Sequence, residues 1–289
     1  MNLQLLDTFL DLMQTRSFNR SAERLGVTQS TVSHRVRSLE TELGRRLFKR
    51  SRSGTEPTPA GLRFLEHAQA LRQHWREAAR HIGSSGAYDR TIRLGLQHDI
   101  ADAFVAPTIS GVRAQLPKMA VYLEVDYSVQ MALDLLSGEL DAALLFTPHY
   151  SADLHIQEIG FLRYVMVSTD GAILRTVDAK EYVFPNISPT FAQIHREHWP
   201  HLSDARLACG QSRAIRQILM ATGGSSYVSL STAEECVRAG ELLPIADAPA
   251  IDQPVYYAVG VRNRHVGTHV KIRAVFEALF DQPENESHP

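Results

Sequence analysis

Cysteine is scarce: the 289 residues hold two, Cys209 and Cys236. Two cysteines make no disulfide framework, so they read as free thiols in a reducing compartment. A redox switch between them is the competing reading. No apolar run reaches the roughly 20 residues of a membrane-spanning helix, and the start lacks a secretory leader pattern, so a cytoplasmic protein with no membrane partner is expected. Also absent are a nucleophile elbow, a phosphate-binding glycine loop and a zinc-protease helix. Nothing points to catalysis, a cofactor or a metal. The run from His195 to His201 holds three histidines. His195 and His198 are three apart, but Pro200 breaks the helix before His201, so a solvated helix end is expected there.

A large charge imbalance is absent too, but only in the sum. The whole chain carries 30 basic and 32 acidic residues. Residues 1–82 hold 14 basic and 8 acidic side chains, a net of +6, which leaves −8 for the rest. A basic front joined to an acidic remainder suggests a nucleic-acid-binding domain attached to something else.

Residues 17–39 give that front end its form. Ser17 suits an N-cap, Ala22 and Leu25 give a small inward face, and Gly26 suits a helix stop. Thr28 would cap a second helix, in which Val32, Val36, Leu39 and Leu43 make one buried stripe. Ser30, His34 and Arg37 point away from the stripe, flanked by Gln29, Ser33 and Arg35. The pattern is a helix-turn-helix whose second helix reads a DNA groove, with base edges met by Gln29, Ser30, Ser33, His34 and Arg37. Leu3, Leu6, Phe9, Leu10 and Met13 supply a preceding helix. Five of the eight residues from 45 to 52 are basic, and Gly54 permits a tight turn. A basic hairpin here reads as a wing on the phosphate backbone, with Arg50 and Arg52, and Arg35 from the helix, as phosphate contacts.

Together these segments resemble the winged helix-turn-helix of the LysR-type transcriptional regulators. The matching pieces are Thr8-Phe9-Leu10, Ser17-Phe18, Ala22-Glu23-Arg24-Leu25, Thr28-Gln29 to Leu39-Glu40, Leu47-Phe48-Lys49-Arg50 and Thr58-Pro59-Ala60-Gly61. Ser30 stands where the family often has proline, and Pro57 where it often has leucine. The resemblance implies a DNA-binding domain, a linker helix and a C-terminal effector domain.

The linker is legible without it. Thr58-Pro59 starts a helix. Phe64, Ala68, Leu71, Trp75, Ala78 and Ile82 then follow at heptad spacing over about three repeats, which asks for a partner helix. A dimer, paired again into a dimer of dimers, is expected. Gly83-Ser84-Ser85-Gly86 ends it as a flexible joint. The domains read as 1–58, 59–86 and 87–289.

Beyond residue 87 strands and helices alternate, which argues for a parallel sheet with helices on its faces. Strands are expected at 91–96, 121–125, 142–146, 164–168, 182–184, 206–209, 227–230 and 255–262. Helices are expected at 102–116, 129–137, 190–198, 212–222, 232–239 and 267–280. The fold class is thus α/β overall with an all-α winged front. The resemblance implies two lobes, similar to periplasmic binding proteins, at about 87–162 with 263–289 and about 163–262. Leu136-Ser137-Gly138-Glu139-Leu140-Asp141 is the best local match.

In such a fold ligands sit at strand ends and helix starts. The resemblance places Gln97, His98, Asp99, Ser128, Phe146 and Thr147 in the first lobe's wall of a small-molecule cleft. It places Ser188, Thr190, Gln211, Ser212 and Arg213 in the second. Asp99 stands where the family often has serine or threonine. A carboxylate there would repel a simple acid, so an amine, polyol or aromatic ligand is expected, with His98 and Phe146 as stacking surfaces. Asp99 and Ser128 also suit plain N-caps. A solute-binding protein, or a redox or metal sensor without an organic effector, are the other readings.

Overall fold

The computed structural model describes residues 2–51, 54–83, 90–171 and 173–281. The chain divides into two units, Met1–Ser85 and Gly86–Pro289.

In the first unit three helices precede a hairpin. They are α1 (Leu3–Thr15), α2 (Phe18–Leu25) and α3 (Gln29–Leu43). Asn2, Ser17 and Thr28 each cap the helix that follows with a side-chain oxygen. Gly26 takes φ 64° at the end of α2, the left-handed geometry that costs glycine little. Leu6, Phe9 and Leu12 are fully buried, and the Phe9 ring meets Phe48 and Phe64 at 5.5 and 5.1 Å. The hairpin is β1 (Phe48–Ser51) against β2 (Gly54–Pro57), antiparallel, with Lys49 opposite Glu56. Glu40 on α3 accepts from the amides of Leu47 and Phe48 at 2.7 and 3.2 Å and fixes where the hairpin starts. Val32, Val36 and Leu39 are buried as the stripe requires, but Leu43, the last residue of α3, is 42% exposed.

The long helix α4 (Pro59–Gly83) starts at Thr58, whose hydroxyl accepts from Gly61 N–H at 3.1 Å. Its apolar seam has two fates. Ala68 is fully buried and Phe64 packs beside it on the unit's own core. Leu71 and Trp75 are 39% and 57% exposed, and Ala78 is exposed. The single six-residue partner seam expected from spacing is therefore corrected: its first two residues are used within the unit. The Ile82 side chain and residues 84–86 of the joint lie outside the described residues.

The second unit contains, in order, β3 (Arg90–Leu96), α5 (His98–Gln115), β4 (Met119–Val125), α6 (Ser128–Ser137), β5 (Ala142–Leu145), β6 (Leu154–Ser168) and β7 (Val183–Pro185). Then come α7 (Pro189–His198), β8 (Leu207–Cys209), α8 (Ser212–Thr222), β9 (Ser225–Ser229), α9 (Leu230–Arg238), β10 (Leu243–Pro244), β11 (Ile251–Gly260) and α10 (Gly267–Glu277). A seven-stranded sheet runs in the order β10-β6-β11-β5-β3-β4, with β9 also on β6, while β7 and β8 pair apart.

The expected parallel sheet is corrected to a mixed one. Strand β3 pairs in parallel with β4 and β5, but β11 is antiparallel to both β5 and β6, and β9 to β6. Two long strands carry this difference. The expected strand at 164–168 begins at Leu154, and the one at 255–262 begins at Ile251. Both run through the two lobes, and the register shifts between Val255 and Tyr256. From Tyr256 onward β11 pairs with β5 of the first lobe, so the return crossing falls within β11 rather than after residue 262.

Candidate functional site

Two surfaces carry the candidate residues. On α3, Gln29, Ser30, His34 and Arg37 are exposed and Ser33 is half-buried. The side chains of Gln29 and His34 have no protein hydrogen-bond partner among the described residues. Arg37 donates to Ser33 Oγ at 2.9 Å, one turn back, and Ser30 bonds to Thr28 at 2.9 Å. Beside this face a concavity of about 670 Å³ lies between α3 and the hairpin, reached by Ser33, Arg37, Arg46 and Lys49. Arg35 departs from expectation. Its guanidinium turns to α1, donating to Gln4 Oε1 at 3.0 Å and Thr8 Oγ1 at 3.4 Å. It follows that Arg35 ties α3 to α1 instead of joining the open face: its position beside buried Val36 points it at the neighbouring helix. Arg50 lies in β1 opposite Thr55, but its side chain lies outside the described residues, as does the whole of Arg52.

In the second unit the strand ends and helix starts bring most of the expected residues into two separate groups. One group lines a cleft of about 460 Å³: Gln97, Ser128 and Thr147 from the first lobe, Asn186, Ser188 and Arg196 from the second. Ser128 Oγ donates to Gln97 Oε1 and accepts from the amides of Phe146 and Thr147, both at 3.1 Å. Gln97 Oε1 accepts from Phe146 N–H as well, at 3.1 Å. Ser188 caps α7 through Phe191 N–H at 3.0 Å and donates to Gln253 Oε1 at 2.5 Å. Gln253 then donates to the Phe146 and Pro254 carbonyls. Phe146 is 1% exposed, its ring 6.5 Å from Tyr164, so it is no stacking surface for a ligand. His98 meets Tyr127 edge-on at 4.9 Å. Thr190 is exposed on the first turn of α7 and is not among the cleft's lining residues.

The other group is a buried latch. Asp99 is 1% exposed and does not face the cleft. Its Oδ1 accepts from Ser212 N–H at 3.0 Å, and its Oδ2 from Ser212 Oγ at 2.6 Å and Tyr164 hydroxyl at 2.8 Å. Ser212 Oγ in turn accepts from Ser229 N–H at 2.9 Å. The carboxylate of the first lobe thus caps the helix α8 of the second, where the helix dipole favours a negative charge. Asp99 does not cap its own helix; the N-cap of α5 is Gln97, which makes no side-chain cap bond. Burial pushes the Asp99 carboxyl above the usual carboxylate range, opposed by its bonds from Ser212 and Tyr164. Beside it Arg213 pairs with Asp102 at 2.9 Å, and Gln211 donates to the Tyr127 hydroxyl at 3.4 Å. The expectation that Asp99 repels an acid in the cleft is therefore corrected: its charge is enclosed and spent on three donors.

Tyr164, Asn186, Arg196 and Gln253 were not legible as site residues. Arg196 lies in the polar stretch after His195, two turns into α7. Gln253 enters from the far end of the chain through β11. Neither sits at a strand end or helix start, the only signal sequence offers.

Residues 3–62 match the model of the bacterial regulatory helix-turn-helix protein, lysR family, and residues 85–282 match the LysR substrate binding domain. The chain belongs to the LysR family of transcriptional regulators. It is 28% identical over 281 residues to the HTH-type transcriptional regulator HdfR of Yersinia enterocolitica, covering 94% of each chain. Among solved structures it is similar to ArgP from Mycobacterium tuberculosis, with TM-score 0.58, 20% identity and 96% of each chain covered. It is equally similar to full-length LysG from Corynebacterium glutamicum with bound effector Arg: TM-score 0.58, 20% identity, 96% of this chain and 98% of that one. This LysR-family protein is a DNA-binding regulator with an effector-binding domain, not an enzyme. No helix among the described residues is long and apolar enough to cross a membrane.

Proposed function

We propose that this LysR-family regulator reads its operator through the exposed face of α3 and is switched by a small molecule held between the two lobes of its second unit. The observation that carries the first half is the contrast on α3: Val32, Val36 and Leu39 are buried, while Gln29 and His34 stand exposed without a protein partner among the described residues. Base edges would be met by Gln29, Ser30, Ser33, His34 and Arg37, and phosphates by Arg50 and Arg52. The second half rests on a polar cleft lined from both lobes. Self-association into dimers, and dimers of dimers, would use the exposed stretch of α4 around Leu71 and Trp75. Such a protein acts where the DNA is, in the cytoplasm.

His34→Ala tests the reading. It should cost roughly 1–3 kcal/mol of operator binding and much less on random DNA, measured by fluorescence anisotropy at two salt concentrations. Equal losses on both DNAs would reassign His34 to the phosphate backbone. A redox or metal switch is the second reading. The Cys236 thiol is buried and pushed up by that burial, which makes it a poor thiolate. No group of three or more His, Cys, Asp or Glu among the described residues is placed to hold a metal. Operator affinity that changes with peroxide or chelator would favour that reading.

A further inference from the structure

Helix α3 is braced on both flanks. At about 100° per residue, Arg35 and Glu40 stand about 140° apart around it, on either side of the buried stripe of Val32, Val36 and Leu39. Ser30, His34 and Arg37 lie exposed on the far side. Glu40 holds its flank to the hairpin, accepting from the amides of Leu47 and Phe48 at 2.7 and 3.2 Å. Arg35 holds the other flank to α1. Its guanidinium donates to Gln4 Oε1 at 3.0 Å and to Thr8 Oγ1 at 3.4 Å, two acceptors one helical turn apart. The acceptors are themselves anchored: Thr8 is fully buried and its hydroxyl donates to the Gln4 carbonyl at 2.6 Å.

Apolar packing alone leaves α3 room to roll. Two of the three buried stripe residues are valines, and Leu43 at the end is exposed. Burial of apolar surface has no direction, so it resists a small rotation weakly. A side-chain end about 6 Å from the helix axis moves about 1 Å in a roll of about 10°. A hydrogen bond to a base edge, with its narrow range of distance and angle, does not survive that displacement. The bonds of Arg35 and Glu40 are directional too, and a roll either way stretches or bends them.

Resting on the reading of α3 given above, we infer that Arg35 is a specificity-positioning residue: without touching DNA it sets, through Gln4 and Thr8, the angle at which His34 and its neighbours meet the base edges. The effect falls on sequence recognition and not on DNA affinity in general. Phosphate contacts carry no sequence information and are spread along the backbone, whereas each base edge demands one donor–acceptor geometry.

The test uses the full-length protein and two DNAs: a duplex that the wild type selects from a random pool, and the unselected pool. Two variants break the tie from opposite sides. Arg35→Met removes the donors. Gln4→Met with Thr8→Val removes the acceptors and leaves Arg35 in place. Each should weaken binding of the selected duplex by about fivefold or more, and binding of the pool by less than about twofold. Joining all three substitutions should add no more than about twofold, because each variant breaks the same tie. The slope of log affinity against log salt should match wild type. Arg35→Lys keeps a charged donor without the planar fork and should fall between wild type and Arg35→Met. Melting temperatures report folding; if Arg35→Met does not fold, Arg35→Lys and the Gln4/Thr8 variant decide.

If Arg35→Met weakens both DNAs alike and flattens the salt slope by about one charge, Arg35 is a phosphate contact and the positioning role is overturned. It is overturned equally if the Gln4/Thr8 variant binds both DNAs as wild type does, or if melting temperatures fall while the ratio of the two affinities holds. His34→Ala in the same assay separates the two readings. If it lowers the ratio and Arg35→Met does not, the positioning role alone falls. If neither lowers it, the reading of α3 falls as well.

Discussion

The open face of α3 and the meeting place of the two lobes are built from the same kinds of residue: serine, glutamine, a histidine, one strongly charged group. Their states are opposite. On α3, Gln29 and His34 have no protein partner among the described residues and face outward. Between the lobes, Asp99, Ser128, Ser188 and Ser212 are each at most 5% exposed and engaged within the protein: Asp99 with Ser212, Ser128 with Gln97 and the Thr147 amide, Ser188 with Gln253. A polar side chain is available to a partner only if the fold has not already used it. The difference between a reading surface and a structural joint therefore lies in which donors are left over, not in which residues are present.

The largest expected effect falls on the joint. Asp99→Ala removes the acceptor for Ser212 N–H, Ser212 Oγ and Tyr164 hydroxyl and leaves these donors buried. Unpaired buried donors cost about 1–3 kcal/mol each, partly offset here because the carboxylate no longer has to be dehydrated. A loss of about 3 kcal/mol in the second unit's unfolding free energy is expected from urea titration. A loss below about 0.5 kcal/mol would show that the lobes do not depend on this carboxylate.

A pH-dependent effect of similar size belongs to His195, a fully buried ring among Tyr182, Phe184, Phe191, Trp199 and Tyr227. Its Nε2 lies 2.7 Å from the Tyr182 hydroxyl. The sequence reading of a solvated helix end is corrected: α7 turns His195 inward and leaves His198 exposed. Burial, helped by the charge of Arg196, lowers its pKa from 6.5 to about 4. The unfolded chain therefore binds a proton that the folded chain does not between about pH 6.5 and 4. Stability should fall as pH is lowered through that window, by up to roughly 3 kcal/mol at about 1.36 kcal/mol per unit. His195→Gln should flatten this slope by about one proton. Unchanged slopes in wild type and variant would mean that the ring titrates normally.

These contrasts also explain what sequence could reveal. The winged unit was readable because its signals are local: caps at Ser17 and Thr28, a stop at Gly26, and a stripe at helical spacing. The second unit's helices and most of its strands followed from alternation. The lengths of β6 and β11 did not, because their extra residues are held by pairing with each other, and Leu154 to Arg163 carries no clear alternation. Nor did the state of Asp99. Its partners lie 65 and 113 positions away, and nothing near residue 99 says that a carboxylate will close on them.

Helix α4 repeats the comparison within one element, and the smallest effect on folding is expected there. Ala68 is fully buried on the core around Phe9, whereas Trp75, one heptad further along the seam, is 57% exposed. Spacing alone gave them one role. Trp75→Glu replaces an exposed ring that belongs to no buried cluster of its own unit, so stability should stay within about 0.5 kcal/mol in protein too dilute to associate. In concentrated protein the same change puts a charge where a second α4 would pack, and desolvating it without a partner is costly. Sedimentation should then show a shift toward monomer. Ala68→Glu should instead unfold the winged unit at any concentration, because no water reaches that site. If Trp75→Glu sediments like wild type, the exposed half of α4 is an ordinary solvent-facing surface, and self-association must use another part of the chain.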